Sequence, residues 1–158
     1  MTEREEKAKD LGVSAELLTK ACDMIKTQEI SCVVINGEKI VHTADGRGVA
    51  PLLDLYHKGT DKLVDSCVVD RIIGKAAAMI LLLGKAKSVY GEVMSVAARD
   101  YLTGRGIPFQ YGSCVDVIAG QGGTGVCPIE ASVLDIDDPE AGLVALTDRI
   151  AELRRSAM

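Results

Sequence analysis

The sequence contains no tryptophan, a single phenylalanine (Phe109) and only 3% aromatic residues in all. This scarcity excludes a nucleic-acid surface built on base stacking, which needs aromatic platforms. The formal net charge of −5 points the same way, because a chain that neutralises phosphates along a duplex is normally basic. No nucleic-acid partner is expected. The chain also lacks C-x-x-C, H-x-E, C-x-E and H-E-x-x-H spacings, so a zinc site of ordinary ligand spacing cannot be assembled. No metal and no other cofactor is expected. Long apolar runs are missing too: the uncharged stretch of the most hydrophobic segment covers only 76–84, where a membrane span needs roughly 20 residues. No membrane association is expected.

The cysteines, Cys22, Cys32, Cys67, Cys114 and Cys127, are odd in number and scattered, in a chain that opens on charged residues with no signal-like apolar core. They read as reduced thiols, and a cytoplasmic location is expected. What the chain does have is 47% hydrophobic residues in a length of 158, enough for one core built from Val, Ile, Leu, Ala and Met. The expected organisation is a charged tail over 1–13, whose first ten residues read as a frayed helix or, in preference, as a solvated disordered segment, and a single domain over 14–158.

Along the chain, Ser14 is placed to cap a helix whose face carries Leu18, Ala21, Cys22 and Ile25. Asn36-Gly37 sits between two β-rich runs and predicts a hairpin. Pro51 starts a short helix ended by Gly59. A strand over 63–69 then leads into an almost wholly apolar helix over 71–83, with Asp70 as its N-cap and Gly84 closing it. A strand over 87–92, a helix capped by Ser95, and a strand over 107–111 follow, before a terminal helix opened by Asp138-Pro139. Alternating strand and helix imply parallel strands, and the expected class is α/β: a three-layer α-β-α sandwich around a mixed sheet of about five strands.

Three places carry candidate chemistry. Asp70, Arg71, Gly74 and Lys75 put one acid and two bases around a helix start, where unpaired backbone N–H groups and the dipole favour an anion. Gly74 costs about 1 kcal/mol against Ala in a first helical turn, which hints at a close approach of backbone or ligand. Arg47 and Gly48 stand just ahead of the Pro51 helix, where a guanidinium can grip an anion. The glycine-rich run 120–125 matches G-x-G-x-x-G by letter, but it lies too late for a dinucleotide fold and no Lys-Ser/Thr follows Gly125, so the P-loop reading fails as well. A loop in which Gly122, Gly123, Thr124 and Gly125 wrap an anion remains, against a plain connector. Directly after it, Pro128 places Cys127 at an N-cap, where a thiol is a more available nucleophile, and Glu130 either joins that chemistry or reaches back to cap the Cys127 N–H. His42 and His57 read as ordinary strand-end and helix-end residues.

The order of these elements resembles the cytidine deaminase-like fold, and GRGVAPLLDL, VVDRIIGKAAAMILL and GTGVCPIEASVL are similar to phrases of DUF1893, a family of unknown function. The resemblance implies a deaminase scaffold, but it brings no reaction with it. Zinc deaminases carry H/C-x-E and P-C-x-x-C at two helix starts, and here those starts read 47–51 and 70–75 without a ligand among them. Hydrolytic deamination by zinc hydroxide is therefore excluded. The expected function is binding of a nucleotide or nucleotide-like anion, with zinc-free group transfer by Cys127, Asp70 and Glu130. The alternative is a non-catalytic regulatory module, with homo-oligomer formation as its expected partner contact.

Overall fold

The computed structural model of the chain describes residues 1–27, 30–120 and 125–157. A five-stranded mixed sheet runs in the order β2-β1-β3-β4-β5. β1 (Cys32–Asn36) lies antiparallel to both β2 (Lys39–Ala44) and β3 (Cys67–Ile73), while β3, β4 (Ser88–Ser95) and β5 (Phe109–Val115) are parallel. Helices cover both faces, so the three-layer α-β-α sandwich is the architecture. On one face α1 (Glu3–Leu11) and α2 (Ala15–Lys26) pack on Val33, Ile35, Cys67, Val69 and Tyr90. On the other, α3 (Ala50–Lys58), α4 (Lys75–Leu83), α5 (Val96–Gly104), α6 (Pro128–Ala131) and α7 (Pro139–Ser156) share a core with Val34, Val68 and Val89.

The hairpin forms where Asn36-Gly37 predicts it, but Asn36 pairs with Lys39, so the central turn residues are Gly37 and Glu38. Gly37 takes φ +64°, the value that a first central glycine supplies without a steric cost. Ser14, Ser95 and Asp138 cap α2, α5 and α7 through side-chain oxygens, accepting from the N–H groups of Leu17, Ala98 and Ala141.

Two expectations are corrected. Residues 1–13 are not a solvated tail: Thr2 and Glu5 close a capping box that starts α1, and its Ala8 and Leu11 are each 1% exposed. Its charged residues hide this from composition, because only one narrow stripe faces the sheet. Lys7 folds its stem over that stripe and donates from Nζ to the Tyr111 carbonyl on the edge strand, 2.8 Å away. The second correction concerns the central unit. β3 continues through Ile73, in parallel register with Val93 and Met94, and α4 starts only at Lys75 with Gly74 as N-cap. Asp70 and Arg71 are therefore strand residues. The β-branched run Val68, Val69, Ile72, Ile73 finds partners on β4, and that pairing outweighs the local helix signal.

Leu11→Ala separates a structural α1 from a dispensable one. Removing a fully buried leucine is expected to cost about 2–5 kcal/mol, measured by urea unfolding, and no change would return α1 to the status of a tail.

Candidate functional site

The parallel strands end together at Ile73, Ser95 and Val115. β2 ends on the same edge, since Ala44 pairs with Cys32 and Cys32 with Asp70. This C-terminal edge is where open α/β sheets place ligands. It gathers Asp70, Gly74 and Lys75, the Arg47-Gly48 turn that follows Ala44, and the segment that leads from β5 into α6.

Asp70 lies on β3 opposite Cys32 and is only 6% exposed. Its Oδ1 accepts from the Ile72 N–H at 3.3 Å. Burial pushes its carboxyl up to about 7, against the lowering pull of the Ile72 and Arg71 backbone. Burial first, and then the neighbouring Asp70, lift the Cys32 thiol well above its ordinary value. The Arg71 guanidinium Nη2 donates to the Ile30 carbonyl at 3.1 Å, and its charge pulls Asp70 only weakly toward the carboxylate form. Lys75 is also engaged, donating from Nζ to the Leu134 carbonyl at 2.8 Å and lying over the Tyr101 ring.

The helix start that the sequence marks for an anion holds one supplied by the chain itself. Glu130, 3% exposed, brings Oε1 to the Lys75 N–H at 3.4 Å and to the Ser95 hydroxyl at 2.6 Å. Its Oε2 is buried with no partner among the described residues. Gly74 is glycine because of this contact: a Cβ there would run into Glu130 Oε2 and come within 3.3 Å of Ile118. Its φ of −99° asks for no special residue, so space alone decides. Glu130 therefore does not cap the Cys127 N–H, which donates instead to the Ile118 carbonyl at 2.8 Å. Cys127 is the N-cap of α6 as expected, half-buried, with no side-chain capping bond. Arg47 and Gly48 are exposed, Gly48 at φ +64°, and Arg47 has no recorded ion pair among the described residues. Gly122, Gly123 and Thr124 lie outside the described residues. Gly125, at φ +65°, accepts from the Gly120 N–H, and Ala119 bridges to Val126.

Sequence reasoning missed Ser95 as part of this site. It was legible only as the cap of α5, and nothing in the linear order ties it to Glu130. His42, half-buried at the strand end, is held below its ordinary value by burial and by Lys62, and His57 is an exposed helix-end residue. Among the described residues, no group of three or more His, Cys, Asp or Glu is placed to hold a metal ion. The zinc of the deaminases does not fit, because the starts of α3 and α4 carry none of its donors.

The model of a domain of unknown function, DUF1893, matches residues 20–150. The chain belongs to the DUF1893 family. The crystal structure of a DUF1893 family protein from Thermotoga maritima superposes with a TM-score of 0.75 at 27% identity, covering 87% of this chain and 92% of that one. No curated protein matches the chain.

Two expected outcomes follow from the buried carboxyls. The folded Asp70 group binds its proton more tightly than the unfolded one, so its contribution to stability is lost as pH rises from about 4 through about 7. A shift of this size corresponds to up to about 4 kcal/mol. Unfolding titrations at pH 5 and pH 8 should show a fall in wild-type stability that is flatter in Asp70→Asn; equal slopes would remove Asp70 as the source. For Gly74→Ala the expected cost is about 1–3 kcal/mol from overpacking. In a double-mutant cycle with Glu130→Ala the two losses should be less than additive, whereas strict additivity would break the proposed contact.

Proposed function

We propose that the protein binds a nucleotide-like, phosphate-bearing small molecule at the C-terminal edge of its sheet, and that Asp70 is the proton-transfer group of a zinc-free reaction there. The observation that carries this reading is the Asp70 carboxyl, buried in the middle of β3 with a pKa raised to about 7, where a general acid or base works best. Arg47, exposed on the turn that leads from β2 to the uncapped start of α3, supplies a cation to the same edge. The kinship with deaminase scaffolds belongs to this proposal as well, and rests on the element order and on the mixed sheet with antiparallel β1 beside three parallel strands.

A second reading, a non-catalytic regulatory module that acts through protein contact, has its own support. Arg71 and Lys75 are engaged by carbonyls, and the edge exposes Ile72 and Val117 at 45% and Val126 and Leu134 at 39%. An apolar rim of this kind suits a second copy of the chain. A groove of about 830 Å³ between α1 and α2 lies away from this edge.

Native mass spectrometry and thermal-shift measurements with a nucleotide panel separate the two. A ligand at 100 times its Kd should add about 2.7 kcal/mol of stability, and Arg47→Ala should abolish the shift. No co-purifying nucleotide and no shift, together with a dimer by light scattering, would favour the second reading.

A further inference from the structure

The Glu130 carboxyl sits at the start of α4 with only one of its two oxygens hydrogen-bonded among the described residues. It bridges the starts of two helices: Oε1 takes the Lys75 N–H of α4 and the hydroxyl of Ser95, the N-cap of α5. Its Oε2 meets no donor although it is buried, which leaves a charged group half satisfied. Donors nevertheless remain close by. α4 has no side-chain cap, and among the described residues the Ala76 and Ala77 N–H groups have no recorded acceptor. A planar carboxylate approaching from Gly74 satisfies only one of its two oxygens here. A tetrahedral phosphate, with three terminal oxygens, matches a hydroxyl and successive N–H groups of a first helical turn. The Lys75 ammonium, from the same turn, is the nearest cation in sequence, and it would have to leave the Leu134 carbonyl to balance that charge.

We infer that the first turn of α4, together with the Ser95 hydroxyl, is a phosphate-binding site, and that Glu130 is its built-in occupant, displaced when a phosphate group enters. The inference rests on the reading of this edge as a phosphate-binding surface and adds a competitor to it. Gly74 belongs to the device, because its missing side chain gives the carboxylate its seat. No bond is made or broken: one anion replaces another on the same donors.

The test uses the full chain in phosphate-free buffer, with inorganic phosphate and adenosine monophosphate as probes. Affinity is read by calorimetry, and the site by amide shifts of Lys75 and Ala76 in nuclear magnetic resonance. Glu130→Ala is expected to bind phosphate at least tenfold more tightly than the wild type, with Lys75 and Ala76 shifting most, and Ser95→Ala in that background is expected to lose the gain. Glu130→Gln keeps the shape and removes the charge, so it gives a smaller gain and serves if the alanine variant does not fold. Unchanged affinity in both variants, or a gain that survives Ser95→Ala, overturns the inference. Wild-type nucleotide binding that is insensitive to Glu130 would leave the proposed function standing and remove the competitor. Phosphate binding gained by the Glu130 variants without any nucleotide binding would do the reverse.

Discussion

The enclosure of α4 is the constraint on which the rest of the structure depends. Ala76, Ala77, Ala78, Met79, Ile80 and Leu81 are all buried, so this helix has no side to show to water. It is covered by the sheet beneath it and by α3, α5 and α7 around it. α7 crosses so closely that a Cβ on Gly142 would overlap Met79. Ala76 and Ala77 in its first turn are buried while Gly74 and Lys75 stay partly exposed, and the donors there call for an acceptor. The chain meets that need by returning from β5 through residues 116–127 to α6, which delivers Glu130.

This arrangement sets the electrostatics of the strand-end edge. Two carboxyls are buried on the same side of the sheet in different surroundings. Asp70 sits on a strand beside a thiol, with a backbone N–H on one oxygen, while Glu130 has a hydroxyl and a helix N–H on one oxygen and nothing on the other. Of the cations near Asp70 in sequence, Arg71 favours its charged form, but less than burial opposes it. Arg71 is drawn to the Ile30 carbonyl and Lys75 to the Leu134 carbonyl. The edge is thus acidic inside and carries its exposed cation, Arg47, on the rim. Any ligand that binds there has to deal with that division, whether by displacing a carboxylate or by bringing a proton donor.

Membership in the DUF1893 family and the likeness to the Thermotoga maritima protein place the chain among proteins that share a scaffold without an assigned reaction. The chemistry therefore has to be argued from these side chains. They favour a site made of helix starts and buried acids over one made of metal ligands, and Ser95 and Gly74 are as much a part of it as the residues with titratable groups.

Several features follow from the amino-acid order alone, because they are set by contacts within a few residues. The caps at Ser14, Ser95 and Asp138, the Gly37 hairpin, the Pro51 helix and the enclosed character of 76–81 are all of this kind, and together they imply a mixed α/β sheet of five strands. Tertiary structure decided the rest. Whether Asp70 starts a helix or lies within a strand depends on β4, some twenty positions away, offering partners to Ile72 and Ile73. Whether a charged first segment is a tail or a helix depends on two small contact points, Ala8 and Leu11, that composition averages away. The meaning of Gly74 was open in the sequence, which signals a close approach without naming the visitor. Only the folded chain brings Glu130 across 55 positions to the adjoining Lys75 N–H, because long-range burial, and no local rule, determines which buried donor meets which acceptor.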